Sequence, residues 1–428
     1  MKNPKKIKHY DFTRLPQKPD KFWVWAARTF VMPRYFRGRR VTVLRAGMEG
    51  VKPPYLLLST HAGLVDFPVI YRAIAPEKAN IVTPLDAHRD LGDLFLRRFG
   101  CICTRKFVKD DNLVRNLKYC AETYKTALCL FPERRYSLDG TTGRLPNSLG
   151  ELCKALQLPV VTLRMEGNFI AGPQWNKAEI RSIPLRAEMK CVASKEEVAS
   201  LTADALSARI QEGLSRDEYR YQLEYAIENK YQKRAEGLHH ILYQCPHCLH
   251  EFKMYSEGTR LWCSACGKAW EMDELGQLKA EEGITEFSHI PDWTKWEREN
   301  VRQEVRGGKY RFDADVRVYT LPNAKRFYKQ GTGRLTQTSK GTSLVCTAYG
   351  EKRTLQWDGA EMDGVHVEYD YPWNKLKYRR NAFGDCAVFS AGDESYWCHP
   401  VEGRTRLTKL SFATEEIYLM SLEQNRAE

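Results

Sequence analysis

The stretch YLLLSTHAGLVDFP, residues 55 to 68, decides the fold of the N-terminal half, because an apolar run stops there at Ser59 and Thr60. Tyr55 to Leu58 is continuously apolar and follows a Lys-Pro-Pro segment, which predicts a short buried strand. The composition from Leu64 to Ile74 is compatible with a helix. His61 and Asp66 therefore lie at the junction between a strand and the following helix, which is a usual position for ligand binding in open α/β sheets.

His61 and Asp66 have the spacing of a catalytic base and its orienting partner. A carboxylate five residues after a histidine can reach one ring nitrogen, fix the tautomer and leave the other nitrogen free to take a proton. The alternative is a histidine that is satisfied structurally. His88 and Asp93 repeat the spacing within a charged turn, DAHRDLGD, so context rather than spacing favours His61.

The flanking sequence alternates between strand-like and helix-like segments, which predicts an α/β domain with a largely parallel sheet. We predict strands at 55–58, 80–83, 101–103, 127–131, 160–164 and 183–192, and helices near 64–74, 90–98, 111–124 and 149–156. The chain carries neither G-x-x-x-x-G-K nor G-x-G-x-x-G, so no motif supports nucleotide hydrolysis or dinucleotide binding. Six cysteines of this region lack flanking catalytic motifs, and we interpret them as small buried hydrophobic residues.

Four sequence blocks occur in a fixed order: THAGLVD with His61 and Asp66, GCICTRKF with Arg105, FPERRYS with Glu133 and Ser137, and LPVVTL at 158–163. In this order they resemble the motifs of the lysophosphatidic acid acyltransferase (1-acylglycerol-3-phosphate O-acyltransferase) family. The resemblance covers about residues 40 to 195. It implies an acyltransferase fold for this region, with His61 as general base and Asp66 orienting it.

The resemblance also implies a substrate-binding set, which consists of Arg105, Glu133, Arg134, Arg135 and Ser137. The third block departs from the family pattern, since Arg134 and Arg135 replace its Gly and Thr, and Tyr136 holds the position of its Arg. Guanidinium groups bind phosphate bidentately, so either arginine is a candidate for the displaced one. The alternative is that one of them pairs with Glu133 or faces solvent.

The net charge of +13 is concentrated in the first 45 residues, which carry thirteen Lys or Arg and two Asp, a net charge of +11. Within this arm, 21–32 fits an amphipathic helix with Phe22, Trp25 and Phe30 at helical spacing. Aromatic residues flanked by arginines suit an anionic membrane interface. The alternative is a helix packed on the catalytic domain. No uncharged run approaches the roughly 20 residues that span a bilayer, so we expect peripheral contact with a membrane.

The strongest local motif is Cys245-Pro-His-Cys248, followed after fourteen residues by Cys263-Ser-Ala-Cys266. This is the two-knuckle spacing of a zinc ribbon, and four thiolates make a closed tetrahedral shell that leaves no position open for catalysis. We therefore predict a structural zinc ion. His247 lies inside the first knuckle and is not needed as a ligand. Metal-type cysteine spacing without a secretory signal indicates a reducing, cytoplasmic environment.

We divide the chain into a basic aromatic arm (1–45), an acyltransferase domain (46–193), a helical connector (194–242), the zinc ribbon (243–285), a linker helix (286–308) and a β-rich domain with a C-terminal helix (309–428). The linker helix is expected to begin at a cap at Asp292 or Thr294 and to end at Arg306. The short alternating segments after Tyr310 predict a small all-β, barrel-like domain. A barrel closed by a helix resembles pleckstrin-homology-like folds in element order alone.

The leading functional hypothesis is a cytoplasmic enzyme of phospholipid biosynthesis, held at the inner face of the membrane by its arm. It would transfer an acyl chain from acyl-CoA or acyl-ACP, in the latter case with acyl carrier protein as a partner, to a lysophospholipid. The resemblance points to 1-acylglycerol-3-phosphate as acceptor and phosphatidic acid as product. A second hypothesis is a zinc-ribbon nucleic-acid-binding protein, which the near charge balance around the ribbon disfavours. A third is a catalytically silent lipid-binding homologue.

Overall fold

A computed structural model describes residues 7–63, 65–108, 110–176, 179–369, 385–402 and 406–427. Eighteen strands in this part of the chain form three sheets. The strands are β1 Val41–Ala46, β2 Leu56–Ser59, β3 Ala79–Pro84, β4 Ile102–Thr104, β5 Ala127–Leu130, β6 Val160–Glu166, β7 Leu185–Ala193, β8 Met254–Glu257, β9 Arg260–Cys263, β10 Ala269–Met272, β11 Leu278–Ala280, β12 Arg311–Thr320, β13 Tyr328–Thr338, β14 Gly341–Ala348, β15 Glu351–Asp358, β16 His366–Glu368, β17 Cys386–Ala391 and β18 Glu394–Pro400.

Thirteen α-helices accompany the strands within the described residues. They are α1 Lys21–Ala26, α2 Met32–Phe36, α3 Asp66–Ala73, α4 Leu85–Leu91, α5 Asp93–Arg98, α6 Asp111–Tyr119, α7 Leu149–Leu156, α8 Asn168–Ala171, α9 Lys195–Ser200, α10 Ala203–Leu214, α11 Glu218–Glu224, α12 Ile290–Arg306 and α13 Leu407–Ala427. A π-helical turn joins α1 to α2, and another extends α6 to Tyr124. None of the described helices is both long and apolar enough to cross a lipid bilayer.

The first sheet has the strand order β1-β7-β6-β2-β5-β3-β4. Only the β6–β7 pair is antiparallel among its strand pairs, so the prediction of a largely parallel sheet is confirmed. Strand β2 lies at the centre and is buried on both faces, because Leu57 packs into one hydrophobic cluster while Leu56 and Leu58 pack into another. A continuously apolar strand is what such two-sided burial requires.

Helices cover both faces of this sheet. Helix α3 lies on the face that Leu57 shares, together with the N-terminal helices. On the opposite face α6, α7 and α10 pack, and α7 approaches α10 so closely that a Cβ on Gly150 would lie 1.9 Å from the Ala203 carbonyl oxygen. The predicted connector therefore supplies a layer of the α/β fold, since α10 buries Leu206, Ile210 and Leu214 against the sheet.

The second sheet contains the four cysteines and has the antiparallel order β11-β10-β9-β8. It is anchored to α12, because Trp270 packs edge-on against Trp293 with ring centroids 5.0 Å apart. The Trp293 indole donates to the Gln244 carbonyl oxygen at 3.0 Å, and Glu297 accepts from the Gln244 amide at 2.8 Å. Helix α12 starts at Ile290 with Pro291 in its first turn, so the cap predicted at Asp292 or Thr294 is wrong by a few residues.

The third sheet is antiparallel throughout, with the order β15-β14-β13-β12-β18-β17-β16. A four-strand meander and a three-strand meander meet at the β12–β18 pair, and α13 follows the last strand. The all-β composition and the C-terminal helix agree with the prediction. The barrel-like closure is not seen among the described strand pairs, because β15 and β16 lie at the two ends of the sheet and do not pair. Part of the segment between β16 and β17, residues 370–384, lies outside the described residues, as do residues 1–6 of the predicted arm.

Sequence reasoning located most elements of the first sheet but not their exact ends. Strand β1 was not predicted, because its residues fall within the basic arm and only half of them are partly buried. The helix predicted near 64–74 spans Asp66–Ala73, and Leu64 lies outside the described residues. The single helix predicted near 90–98 is preceded by α4 and broken at Gly92, whose φ of 93° is unfavourable for other residues.

An ion-pair network joins the α/β region to helix α13. Arg135, after β5, pairs with the carboxylate of Glu415 and donates to the Ser411 hydroxyl at 2.7 Å. Glu415 also pairs with Arg298 of α12 at 2.7 Å. Burial opposes ionisation of Glu415, but the two arginines hold its pKa at about 2. One carboxylate therefore connects three parts of the chain.

Removing the Glu415 charge should destabilise the protein strongly, because Arg135 would keep its charge in a buried position. We expect Glu415→Gln to lower the free energy of unfolding by about 3–5 kcal/mol. The matched control is Glu423→Gln. Glu423 lies on α13, as Glu415 does, and pairs at the surface with Arg306 of α12, so its loss should cost less than about 1 kcal/mol. Urea-induced unfolding followed by tryptophan fluorescence measures both, and equal losses would contradict this account.

Candidate active site

The candidate active site lies at the edge of the first sheet where the parallel strands end. The loop after β2 carries His61, the loop after β4 carries Arg105, the loop after β5 carries Glu133, and the turn after β6 carries Asn168. Because β2, β4, β5 and β6 run in the same direction, these four loops meet at one edge.

The imidazole of His61 lies against the carboxyl group of Asp66, with Nδ1 2.9 Å from Oδ2. Asp66 opens helix α3 and is fully buried, whereas the His61 side chain keeps 17% of its surface exposed. The ring stacks on Phe131 at a centroid distance of 4.0 Å and contacts Tyr136 at 4.3 Å. No described residue hydrogen-bonds Nε2, and His61 lines the large cleft at this edge.

Asp66 accepts hydrogen bonds from several donors besides His61. Its Oδ2 accepts from the backbone amides of Ala62 at 2.8 Å and Gly63 at 3.0 Å. Its Oδ1 accepts from the side-chain amide of Asn168 at 2.8 Å. An oxygen that already accepts two amide protons favours the His61 tautomer protonated on Nδ1, which leaves the Nε2 lone pair free. The Asn168 contact was missed in the sequence, where only an Asn following a strand end marked it.

His88 and Asp93 have the same spacing but a different environment. Nδ1 of His88 lies 2.8 Å from Asp93 Oδ1, and Nε2 lies 3.0 Å from the Thr83 hydroxyl. The side chain is fully buried, and Asp93 also accepts from the Tyr10 hydroxyl at 2.8 Å. Both ring nitrogens are therefore used inside the protein, so this pair is structural and His61 is the catalytic candidate of the two.

Glu133 and Ser137, both predicted to bind substrate, lie beneath the loop that carries His61. Glu133 accepts from the His61 amide at 3.0 Å and from the Gly143 amide at 2.8 Å, and it pairs with Arg216 at 3.3 Å. The Ser137 amide donates to the His61 carbonyl oxygen at 2.9 Å. Arg216 donates to the same oxygen at 3.1 Å. These contacts fix the His61 backbone, and a direct role of Glu133 or Ser137 in substrate binding stays a prediction.

The three predicted headgroup arginines line the cleft but engage other groups. Arg134 pairs with Asp363 at 2.6 Å and stacks over Phe107, and Arg135 is held by Glu415. Arg105 donates to the Gly392 carbonyl oxygen and approaches Asp393 at 3.5 Å. Apart from the ring of Phe107, these partners all belong to the C-terminal region. The alternative pairing of Arg134 or Arg135 with Glu133 is not observed among the described contacts, since Glu133 pairs with Arg216.

A fourth cation of the cleft, Lys106, lies between two carboxylates. Its ammonium group is 2.9 Å from Asp86 and 3.4 Å from Glu368, and Glu368 also contacts His366 at 2.8 Å. Burial alone would lower the pKa of Lys106, but the two carboxylates hold it at about 12. Lys106 is therefore charged at neutral pH and compensated on both sides.

The cleft itself has a volume of about 1410 Å³ and is shared between the first and third sheets. One end is apolar and is formed by residues of β3, α6, β5 and α7, among them Val82, Leu113, Leu130 and Leu152. The C-terminal region contributes aromatic residues, which are Phe327, Trp357, Tyr369, Trp397 and Tyr418. The volume exceeds the roughly 300–1,000 Å³ of an ordinary small-molecule pocket.

None of the six cysteines of the α/β region lines the cleft, and two of them, Cys103 and Cys191, are only partly buried. Cys101, Cys120, Cys129 and Cys153 are buried, and none of the four lines the cleft. Burial raises the pKa of Cys101, Cys120 and Cys153 to about 12, which keeps them as thiols at neutral pH. The interpretation of these residues as small buried hydrophobic groups therefore holds for these positions.

The sulfur atoms of Cys245, Cys248, Cys263 and Cys266 all lie within 4.8 Å of one another. The distance is 3.8 Å from Cys245 to Cys266 and 3.7 Å from Cys248 to Cys263. Four thiolates around a tetrahedral zinc ion at about 2.3 Å are separated by roughly 3.8 Å, so the cluster fits Zn²⁺. His247 is turned toward Glu286 instead, at 3.2 Å, which agrees with a ligand set of four cysteines.

Comparison with known proteins adds little to this geometry. No protein-family model matches the chain, and no curated protein matches its sequence. Among solved structures, the chain is similar to the crystal structure of the 1-acyl-sn-glycerophosphate (LPA) acyltransferase PlsC from Thermotoga maritima, at 16% sequence identity and a TM-score of 0.33. The match covers 44% of this chain and 79% of that one. A TM-score this low does not establish a common fold, so the likeness gives no evidence about function.

Replacing one cysteine of the cluster should release the metal. Cys266 is exposed, so Cys266→Ser removes a ligand without opening a cavity in the core. We expect the bound zinc, measured by mass spectrometry of dialysed protein, to fall from about one ion per chain to well below half. Cys191→Ser, which changes a cysteine outside the cluster, should retain the full amount. Stoichiometric zinc in the Cys266→Ser variant would contradict the assignment.

Proposed function

We propose that the protein is an O-acyltransferase that moves an acyl chain from a thioester to the hydroxyl group of a lysolipid. The observation that carries this proposal is the imidazole of His61, which is fixed through Nδ1 by buried Asp66, has an Nε2 that no described residue hydrogen-bonds, and belongs to a residue that lines a large cleft. The four ordered sequence blocks support the same chemistry, because three of the four loops at the sheet edge come from them.

In the proposed step, Nε2 of His61 removes the proton of the acceptor hydroxyl as its oxygen attacks the thioester carbonyl carbon. The carbon–sulfur bond breaks, the ester forms, and the imidazolium returns the proton to the departing thiolate. Asp66 holds the ring in position and stabilises the imidazolium. An acyl-enzyme is unnecessary, because the thioester is already activated and the acceptor itself is the nucleophile. The buried thiols of the domain are consistent with this direct transfer.

The shape of the cleft supports two substrates of different character. The apolar end between α6 and α7 suits an acyl chain, because burying methylene groups there removes them from water. The loops after β4 and β5 line the cleft with charged side chains, among them Arg105, Lys106 and Arg134, and this part suits the acceptor headgroup. The donor is either acyl-CoA or acyl-ACP, and an assay that offers each donor separately identifies which one the protein uses.

We further propose that the N-terminal arm binds an anionic membrane and thereby holds the cleft close to its surface. Phe22, Trp25 and Phe30 are 62%, 54% and 58% exposed, and Trp23 packs on Phe95 of α5 at 5.9 Å. Together with Val31 and Leu94 they form an exposed surface that we term the aromatic patch. Lys18 and Lys21 lie close enough to Lys78 to contribute, after burial, to lowering its pKa. Rings beside clustered cations suit an interface with anionic lipid.

The aromatic patch adjoins the cleft. Helix α5 carries Leu94 and Phe95 on the patch, while Leu96 of the same helix lines the cleft. Helix α5 is therefore shared between the proposed membrane-binding surface and the cleft. The ribbon offers no comparable basic surface, because residues 243–285 carry seven Asp or Glu against four Lys or Arg, and Arg260 pairs with Glu281 at 2.6 Å. Nucleic-acid binding therefore gains no support.

His61→Ala should abolish turnover while leaving the fold intact, because a positioned general base contributes roughly 10²–10⁴-fold to the rate. Purified protein would receive a mixture of lysolipids on anionic vesicles with acyl-CoA or acyl-ACP, and mass spectrometry would detect the diacyl product. His88→Gln is the matched control: it should lower the melting temperature yet leave the rate per folded molecule within about threefold. No product from wild type with either donor would remove the enzyme hypothesis, and the catalytically silent homologue would then remain.

Substitution within the aromatic patch should weaken membrane binding without changing the chemistry. We expect the double variant Trp25→Ala, Phe30→Ala to bind anionic vesicles at least tenfold more weakly than wild type in a flotation assay, because two interfacial rings are lost. Ile284→Ala, which removes a 79% exposed side chain of the ribbon, is the control and should bind normally. Unchanged binding of the double variant would show that the arm does not contact the membrane.

A further inference from the structure

The four cations around the polar part of the cleft, Arg105, Lys106, Arg134 and Arg135, share one property. Each contacts a carboxylate that the C-terminal region supplies: Asp393, Glu368, Asp363 and Glu415 in that order. The remaining cation of the described lining, Arg89, pairs with the adjacent Asp90. Within the described residues, every lysine or arginine that lines this cleft therefore already contacts at least one carboxylate.

Acidic groups also outnumber basic ones around the cleft. Its described lining includes nine Asp or Glu side chains against five Lys or Arg. A phosphomonoester carries about −1.5 to −2 charges at pH 7. A phosphate that contacts Arg134 would lie beside Asp363, which already pairs with that arginine at 2.6 Å, and two anions that share one guanidinium in a partly buried site repel each other.

The wall of the cleft opposite the α/β region favours an uncharged group over an anion. Trp357, Tyr369 and Trp397 line the cleft from the third sheet, and Tyr369 and Trp397 are almost fully buried. Aromatic faces and carboxylate oxygens can contact an uncharged headgroup without any exchange of ion pairs. Hydroxyl groups of such a headgroup can donate hydrogen bonds to the carboxylates.

We infer that the cleft accepts an uncharged lipid alcohol, and that the carboxylates of the C-terminal region exclude phosphomonoester acceptors such as 1-acylglycerol-3-phosphate. This inference rests on the proposed acyl transfer, because it names the acceptor class of that same site. It replaces the acceptor that the sequence resemblance favours. It also gives the C-terminal region a role, since that region selects the acceptor by neutralising the cations that would otherwise bind phosphate.

The test compares two acceptors that differ only in the phosphate. Initial rates are measured with a monoacylglycerol and with the 1-acylglycerol-3-phosphate of the same acyl chain, using the donor that the wild-type protein accepts. We expect kcat/KM to be at least tenfold higher for the monoacylglycerol. A preference of tenfold or more for the phosphate-bearing acceptor would overturn the inference.

A charge-removing variant tests the cause of the selectivity. Asp363→Asn leaves Arg134 without its partner in the cleft, so the ratio of the two kcat/KM values should shift at least tenfold toward the phosphate-bearing acceptor. Asp313→Asn is the matched control, because Asp313 pairs with Arg334 in the same sheet but does not line the cleft. An unchanged ratio in Asp363→Asn would contradict the proposed exclusion.

A binding measurement separates this inference from the proposed function. Short-chain, water-soluble forms of the two acceptors are titrated into the wild-type protein by calorimetry without a donor. At least tenfold tighter binding of the uncharged form supports the inference even if no acyl transfer is detected, in which case only the proposed reaction fails. Equal or weaker binding of the uncharged form overturns the inference even if transfer is observed.

Discussion

The arrangement of the site depends on one buried carboxyl group. Asp66 has no solvent exposure, and burying a carboxyl group is costly unless its oxygens are hydrogen-bonded. The amides of Ala62 and Gly63 and the side chain of Asn168 meet that requirement, and they come from the β2 loop and the turn after β6. These donors bring two strand ends together at one point, and His61 Nδ1 is positioned as a consequence.

The second constraint is the contact between the α/β region and the C-terminal region. Arg135, Arg134, Lys106 and Arg105 belong to loops after β4 and β5, and their partners lie more than 220 residues later in the chain. The four-cysteine sheet is linked to the same assembly, because α12 packs on it through Trp293 and reaches Glu415 through Arg298. The cleft is thus bounded by two regions whose relative position charged contacts stabilise.

The first sheet, the four-cysteine cluster and the His61–Asp66 pair were predictable because each depends on residues that are close together in the sequence. The alternation of apolar and helical segments indicated the first sheet, since a strand buried on both faces is apolar throughout, as Leu56 to Leu58 are. The cysteine spacing indicated the metal cluster because knuckle geometry is set by a few consecutive residues. The five-residue spacing of His61 and Asp66 indicated a pair, although His88 and Asp93 form one too. Burial and the hydrogen bond between His88 Nε2 and Thr83 separate their roles.

The supporting contacts of the site and the partners of its arginines were not predictable, because they join residues that are far apart in the sequence. Asn168 contacts Asp66 across 102 positions, and Arg216 contacts the His61 carbonyl oxygen across 155. For Arg216 the neighbouring sequence gives no sign of this contact, and for Asn168 the only sign is its position just after a strand end. Likewise Arg134 and Arg135 had the composition of a phosphate site, and their pairing with Asp363 and Glu415 became visible only in the folded chain. Helix α10 had a charged sequence, but three of its apolar residues cover the sheet.

The most direct test of the account is the tautomer of the His61 ring. Long-range proton–nitrogen correlation NMR on protein with labelled histidine, assigned with a His61 variant, reports which nitrogen carries the proton in the neutral ring. We predict protonation on Nδ1 in wild type and a change of tautomer in Asp66→Asn, whose side-chain amide can donate to the ring. A neutral His61 protonated on Nε2 in wild type could not accept a proton from a substrate in the cleft, and that result would contradict the account.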